Sequence, residues 1–142
     1  MKTNETNEQQ KVILWARAMS TFHPELNSLY HVPNEGRRTK SEGGKLKSLG
    51  MAAGVPDLIL DIPKGVYHGC RIEMKCGKNT ATREQKEWLH RMQQNGYFVA
   101  VCYGADATIR TLEKYIALQA GEKMTGMCEK PGIPIVKEEN ND

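Results

Sequence analysis

Residues 54–75, GVPDLILDIPKGVYHGCRIEMK, decide how the rest of this 142-residue chain is organised. Asp57 begins one apolar run, and Glu73 and Lys75 lie two residues apart on a second run. The segment IPKGVYHG between the runs contains a proline and two glycines, which favour turns. The two runs are therefore predicted to form an antiparallel hairpin.

Side chains alternate between the two faces of a strand. In the second run, Arg71, Glu73 and Lys75 are therefore expected on one face. The opposite face would carry apolar and thiol side chains: Cys70, Ile72, Met74 and Cys76. One face is suited to chemistry and the other to packing.

The spacing suggests a metal-dependent hydrolytic site. If the hairpin register places Asp57 opposite Glu73, their Cβ atoms lie about 5 Å apart, but a slip of one residue would separate them. The sequence leaves this register open. Two close carboxylates raise one pKa unless a cation lies between them, and oxygen ligands select Mg²⁺ or Mn²⁺. Such an ion lowers the pKa of a bound water, which Lys75 can orient or deprotonate for attack on a phosphodiester.

A structural interpretation of the same residues stays open. Asp57 can cap a turn while Glu73 and Lys75 form a solvated pair on an exposed sheet face. The D…ExK spacing alone is common, so the surrounding pattern has to decide between the two.

Composition limits the class of protein. The length and the 39% hydrophobic content suit one domain spanning residues 1–142, with a core at about 5–120 and a tail at 121–142. Twenty basic and 17 acidic residues give a net charge of +3, which excludes a histone-like polycation but allows basic patches. We expect a soluble, intracellular protein, because no signal peptide or long apolar run is present.

The histidines and cysteines indicate neither zinc nor a disulfide framework. The four cysteines include no CxxC pair and are expected to be buried free thiols. They are Cys70, Cys76, Cys102 and Cys128. The four histidines are scattered, and His68 is expected to be exposed in the hairpin turn.

The N-terminal third predicts a helix followed by a basic loop. Residues 1–7 are expected to be frayed, and a helix from Glu5 or Glu8 to the His23-Pro24 pair has a wide apolar face. An acid on its first turn can reach a neighbouring site or can simply complement the helix dipole. Residues 26–30 suggest a short helical turn. Residues 41–49 of the following glycine-rich loop can form a short helix. The loop carries five basic residues: Arg37, Arg38, Lys40, Lys45 and Lys47. It can contact a phosphate backbone or be solvated.

After the hairpin, the pattern predicts a helix, a strand and a second helix. Thr80 or Thr82 is the expected N-cap of a helix that runs to about Gln94, and Gly96 is placed to end it. Residues 97–103 read as a buried central strand, and residues 105–120 as a helix. The remaining tail is loop-rich. The order is helix, loop with a short helix, strand, strand, helix, strand, helix, an α/β sheet with the acidic cluster along one edge.

Three segments together resemble the VRR-NUC family, small members of the PD-(D/E)xK nuclease superfamily. They are GVPDL, HGCRIEMK and TREQKEWLHRMQQNGYFVAVCYG, and HVPNEGRR and KLKSLGMAAG resemble the family's basic segment. The resemblance covers residues 5–116. It implies a restriction-endonuclease-like core, a mixed sheet flanked by helices in an α-β-β-β-α-β-like order, with the active site on an antiparallel hairpin.

The resemblance also implies roles for particular residues. Asp57, Glu73 and the backbone carbonyl of Met74 match metal ligands, Lys75 matches the catalytic lysine, and Gln85 matches a glutamine that opens the following helix. Glu5 matches the family's N-terminal acid better than Glu8, and Gln9 then matches its partner glutamine. The residues expected to contact DNA are Asn34, Arg37, Arg38, Lys45 and Lys47.

The family's stand-alone members, often from phages, form homodimers that cut four-way DNA junctions. The resemblance therefore implies a magnesium- or manganese-dependent, structure-selective endonuclease, with junctions as the leading substrate. A phage-encoded protein would act in the cytoplasm of its bacterial host. The alternatives are a restriction-type or flap-directed nuclease with the same chemistry, and a non-catalytic DNA-binding module.

Overall fold

A five-stranded mixed sheet in the order β1-β2-β3-β4-β5 organises the chain. The computed structural model describes residues 2–33, 40–126 and 132–138. Its strands are β1 (Leu29–His31), β2 (Leu58–Leu60), β3 (Cys70–Lys75), β4 (Phe98–Tyr103) and β5 (Ile135–Val136). Its α-helices are α1 (Lys2–Met19), α2 (Lys40–Ser48), α3 (Arg83–Gln94) and α4 (Gly104–Ile116), and a 3₁₀ helix spans Pro24–Ser28.

The predicted hairpin is confirmed. β2 and β3 pair antiparallel, with Leu58 opposite Ile72, and β1 pairs antiparallel with the other side of β2. β4 and β5 extend the sheet in parallel from β3. The strand β3 is thus the central strand of the sheet. The expectation that the acidic cluster lies along one edge is therefore wrong.

Both faces of the sheet are covered. On one face, β3 contributes Ile72 and Met74 to the main core, where they pack with Val12 of α1 and Leu112 of α4. On the other face, Leu89 of α3 packs against β4 residues Val99 and Val101. The alternation predicted for β3 therefore separates a packing face from the face that carries Glu73 and Lys75.

Several predicted element boundaries are correct. The helix α3 begins after Thr82, whose side chain accepts a hydrogen bond from the Gln85 N–H, and the chain turns at Gly96 with φ of 90°. The strand β4 and the short helix α2 also lie where expected. Gly50, with φ of 98°, follows α2, and hydrogen bonds from Gly50 and Met51 back to Lys47 and Leu46 close the helix.

Other expectations are wrong. The helical backbone begins at Lys2, earlier than Glu5 or Glu8, and α1 ends at Met19 before the His23-Pro24 pair. The sequence missed strand β1, and the tail supplies strand β5. The last helix ends at Ile116, before the expected residue 120. Both missed strands are very short, and they gain their hydrogen bonds from partners far away in the chain.

The described cysteines are free thiols, but not all are buried. Cys70 and Cys102 are fully buried, whereas Cys76 is only partly buried. Cys128 lies outside the described residues. His68 is exposed, as predicted. Across the described ranges, none of the helices has the length and apolar character needed to span a membrane.

Candidate active site

Asp57 and Glu73 lie opposite each other at the end of the β2–β3 pair. The register Leu58 to Ile72 and Ile59 to Arg71, continued by one residue, places Asp57 against Glu73. The N–H of Met74 donates a hydrogen bond to Asp57 Oδ2 over 2.9 Å. The register that the sequence left open is therefore the one that brings the two carboxylates together.

Glu73 is a deeply buried acid on the central strand. Its residue surface is 2% exposed. Its Oε1 accepts a hydrogen bond from Gln85 Nε2 over 2.8 Å and lies 3.6 Å from Lys75 Nζ. Its Oε2 is buried without a hydrogen-bond partner among the described residues. One side of this carboxylate is thus held by the protein, and the other side is open to a proton or a cation.

Gln85 is fixed by the start of α3. The N–H of Thr82 donates to Gln85 Oε1 over 2.9 Å, while the N–H of Gln85 donates to Thr82 Oγ1 over 3.2 Å. This reciprocal pair is a capping box. Because a backbone N–H can only donate, it selects the oxygen end of the amide and leaves the NH₂ group for Glu73. The helix cap and the acid are therefore coupled through one side chain.

The helix α1 carries two acids with different surroundings. Glu5 lines the same cavity as Asp57 and Glu73, and its Oε1 is buried with no hydrogen-bond partner in the described structure. Glu8 instead accepts a hydrogen bond from the N–H of Ala105 over 2.7 Å and pairs with Lys11 at 3.0 Å. Partial burial raises the pKa of Glu8, but these two partners outweigh it and hold the pKa below its usual value. Glu8 thus caps the first turn of α4, and Glu5 is the acid that reaches the cavity.

The cavity has a volume of about 110 Å³. The structure brings together every residue that the sequence assigned to catalysis or metal binding, together with Gln9, the expected partner of Glu5. Its lining consists of Glu5, Gln9, Asp57, Glu73, Met74, Lys75 and Gln85. The three acids arrive from α1, from the segment before β2, and from β3, so the cavity forms only when these elements meet.

Burial governs the ionisation of the two opposed acids. It raises the pKa of Asp57, although the hydrogen bond from the Met74 N–H acts in the other direction. Burial and the negative charge of Asp57 both raise the pKa of Glu73, and the Lys75 ammonium only partly offsets them. Without a cation the pair therefore retains a proton at a higher pH than free carboxyl groups would.

The donor atoms suit a hard divalent cation. Across residues 2–33, 40–126 and 132–138, no three acidic, histidine or cysteine side chains are already close enough to hold a metal ion. Glu5 and Glu73 nevertheless each bury a carboxylate oxygen that has no donor among the described residues. Buried polar atoms without partners are uncommon, and a cation bound by oxygen atoms would satisfy both. The chemistry of these oxygen donors is therefore compatible with a hard divalent cation, and the carboxylates would have to turn toward a common point to bind one.

The residues assigned to DNA binding are not part of this cavity. Lys45 and Lys47 are exposed on α2, the helix that precedes the Asp57 segment. Asn34, Arg37 and Arg38 fall outside the described residues. These two lysines of α2 are thus on the surface, and neither of them lines the cavity.

Two further side chains lie close to the acids. Gln9, which the resemblance matched to the partner glutamine of Glu5, lines the cavity one helical turn after it. His31 lies with its Nδ1 atom 3.1 Å from the carbonyl oxygen of Asp57. No sequence signal pointed to His31, because strand β1, which positions it, was not predicted.

An acid before one strand, an ExK pair on its antiparallel neighbour and parallel strands beyond define a nuclease-type α/β domain of the PD-(D/E)xK class. The model of the VRR-NUC domain family matches residues 3–106 of this chain. The chain therefore belongs to the VRR-NUC family, as the sequence resemblance indicated.

A solved structure agrees with this assignment. A structure described as a VRR-NUC domain protein is 35% identical in sequence and superimposes with a TM-score of 0.74, covering 86% of this chain and 97% of its own. The curated proteins compared with the chain include no match.

Proposed function

We propose that this chain is a divalent-metal-dependent, structure-selective endonuclease that hydrolyses DNA phosphodiester bonds. One observation carries the proposal: Asp57 and Glu73 face each other beside Lys75, and the cavity buries carboxylate oxygens that have no donor in the part of the chain that the structure describes. The nuclease-type family of the chain supports the same reaction class.

The residues proposed to hold Mg²⁺ or Mn²⁺ are Asp57, Glu73, Glu5 and the carbonyl of Met74. When bound, the ion would polarise the scissile phosphate and stabilise the leaving oxygen. Gln85 fixes one oxygen of Glu73, which leaves the other for the ion. This division of the carboxylate lets the protein orient its ligand before substrate arrives.

Lys75 is proposed to act on the attacking water. Its side chain is only 12% exposed, and its ammonium group lies beside Glu73. There it can orient a water and offset the negative charge that develops on the phosphate. The water oxygen forms a bond to phosphorus as one bond to a sugar oxygen breaks, which leaves a phosphate monoester and a hydroxyl group.

Four-way junctions are the proposed leading substrate, and a homodimer is the proposed active form. Resolving a junction requires two nicks placed symmetrically, and a two-fold dimer supplies two active sites in that arrangement. The exposed lysines of α2 would contribute phosphate contacts.

The reaction is tested with labelled linear, flap and four-way DNA, in magnesium and in EDTA. Cleavage is expected in magnesium only, with the four-way substrate cut fastest. Lys75→Ala and Asp57→Asn should each abolish cleavage while DNA binding, measured by fluorescence anisotropy, is largely kept. Glu113→Gln, an exposed position on α4, is a control that should cleave normally.

Normal turnover in both site variants would contradict the proposed mechanism. Cleavage that persists in EDTA would show that the reaction does not depend on a metal ion. Sequence-dependent cutting of linear duplex would instead indicate a restriction-type nuclease. DNA binding without any cleavage in magnesium or manganese would indicate that the chain is a non-catalytic DNA-binding module.

A further inference from the structure

A groove of about 530 Å³ lies next to the catalytic cavity, between α1 and the segment that runs from the 3₁₀ helix into β1. Apolar side chains line its floor, among them Ile13, Leu26 and Leu29. Polar side chains line it as well, including Arg17 and Asn27, both exposed. Its size and its mixture of an apolar floor with a few polar groups are typical of small-ligand sites.

The groove and the catalytic cavity are neighbours that share one lining residue. Gln9 lines both of them. His31 lines the groove and contacts the backbone of the catalytic Asp57, since its Nδ1 lies 3.1 Å from the Asp57 carbonyl oxygen. A molecule seated at the acids therefore has the groove directly beside it.

One stripe of α1 leads from the acids into the groove. Glu5, Gln9, Ile13 and Arg17 are spaced four residues apart, so each lies about 40° around the helix from the one before it, and the row winds by about 120° from Glu5 to Arg17. At 1.5 Å per residue, Arg17 lies roughly 18 Å along the helix from Glu5. The stripe thus changes from acidic at the cavity to basic at the far end.

The chemistry of the lining suits a nucleotide. Among the described residues that line the groove, Arg17 carries a full charge. Its guanidinium group can donate two hydrogen bonds to a phosphate. Gln9 and Asn27 carry amides, which can both donate to and accept from a base edge. His31 donates through Nδ1 to a carbonyl, which makes Nε2 of the neutral ring an acceptor. Apolar side chains on the floor can cover the face of a base.

We propose that this groove receives an unpaired nucleotide of the DNA strand beside the scissile phosphate. The base lies over the apolar floor, and Arg17 contacts a nearby phosphate. The inference rests on the proposed nuclease function and extends it, because a subsite for an unpaired nucleotide favours a flap over intact duplex, and favours a four-way junction only when a base pair at its centre opens on binding.

The test uses the fluorescence of 2-aminopurine, which rises when the base leaves the helical stack. The full chain is mixed in EDTA and low salt with a flap duplex that carries 2-aminopurine at the first unpaired position, and with a fully paired duplex that carries it at the same place. We expect the fluorescence to rise on binding the flap and to change little on the duplex. Binding itself is followed separately by anisotropy.

Two variants and two controls locate the effect. Asn27→Trp fills the mouth of the groove and should abolish the fluorescence rise and weaken flap binding several-fold, because the base loses its place against the apolar side chains. Ser28→Trp places the same bulk on an exposed neighbour outside the groove and should change neither. Arg17→Ala should weaken binding and lower the salt dependence by about one phosphate contact, whereas Lys114→Ala, an exposed lysine of α4, should not.

A fluorescence rise that survives in Asn27→Trp would overturn the inference, as would equal affinity of the wild-type protein for flap and duplex. A change in molar mass of the Arg17 or Asn27 variants by light scattering would instead make the groove a contact between copies of the chain, and would also overturn it. The magnesium cleavage assay decides the nuclease function separately: cleavage with no groove effect removes only this inference.

Discussion

Glu73 is an acid with one satisfied and one unsatisfied side. Gln85 and Lys75 hold Oε1, while Oε2 is buried without a donor in the described structure. In the metal-free protein, burial and the charge of Asp57 raise the pKa of Glu73. The same features that prepare this residue for a cation should therefore destabilise the folded protein when no cation is present.

This gives a prediction about stability and pH. Between the unfolded carboxyl value, about 4.3, and the raised folded value, the folded protein holds a proton that the unfolded chain has lost. The free energy of unfolding should therefore fall as pH rises through this window. Glu73→Gln cannot titrate, so in EDTA its melting temperature should exceed that of the wild type at pH 8–9. The two should converge below about pH 4, where the carboxyl group is protonated in the unfolded chain as well.

The measurement is thermal unfolding in EDTA at several pH values. Glu113→Gln is the matched control, since it removes an exposed acid and should follow the wild-type curve. Adding magnesium at pH 8 should raise the melting temperature of the wild type and have little effect on Glu73→Gln. Parallel pH curves for wild type and Glu73→Gln would show that Glu73 does not hold an extra proton.

At the scale of elements, the start of α3 serves both the fold and the site. Thr82 and Gln85 cap the helix reciprocally, and the free end of the Gln85 amide reaches Glu73. The two members of one capping box should therefore behave differently when each is removed.

Thr82→Ala should cost about 1 kcal/mol of stability, roughly 4 °C in melting temperature, and leave cleavage nearly unchanged. Gln85→Ala should have a similar cost and also lower kcat, because Glu73 loses its donor. Melting curves and single-turnover cleavage of the two variants in parallel test this. Equal loss of cleavage in both would mean that Gln85 acts only through the helix cap.

Sequence reasoning succeeded for elements with local signals. The apolar run of β4, the cap at Thr82 and the turn at Gly96 each carry their own signature, and the structure places all three as expected. It failed for β1 and β5, which contain three and two residues and depend on pairing with β2 and β4. Such short segments hold too few side chains to show a period of two.

For the site, the identity of the carboxylates and of Lys75 could be predicted from spacing and resemblance. That these side chains lie next to each other in the fold could not. The register of the hairpin decides whether Asp57 faces Glu73, and only coordinates supply it. The choice between Glu5 and Glu8 depends on the contacts that each acid makes with distant parts of the chain. Glu8 accepts a hydrogen bond from the Ala105 N–H, whereas Glu5 lines the cavity. The position of His31 depends on a strand that has no sequence signature.

At the scale of the molecule, the acids lie over the central strand of the sheet and draw on three separate elements. The helix α1 that brings Glu5 is held against α4 by the bond from Ala105 to Glu8, as well as by its apolar packing. One chain thus supplies one complete set of proposed ligands. Two cuts in one junction therefore call for two chains.

The proposed dimer has a direct measurement. Size-exclusion chromatography with light scattering should give twice the 16.0 kDa of one chain at micromolar concentration. Four-way junctions should then be released by paired nicks within one binding event, seen as simultaneous linearisation of a cruciform plasmid. A monomer that still makes paired nicks would contradict the dimer, and a dimer that makes only single nicks would contradict junction resolution.

Gly54 has no chemistry of its own, yet it stands where the loop leading to Asp57 meets the start of α3. Its φ is 83°, and a Cβ atom there would lie 2.5 Å from the backbone of Glu84. Any substitution would push apart the two segments that deliver Asp57 and Gln85. In a saturation library selected for activity, Gly54 should therefore tolerate as few substitutions as the acids do. A ranking of residues by tolerance alone would wrongly count it as a catalytic residue.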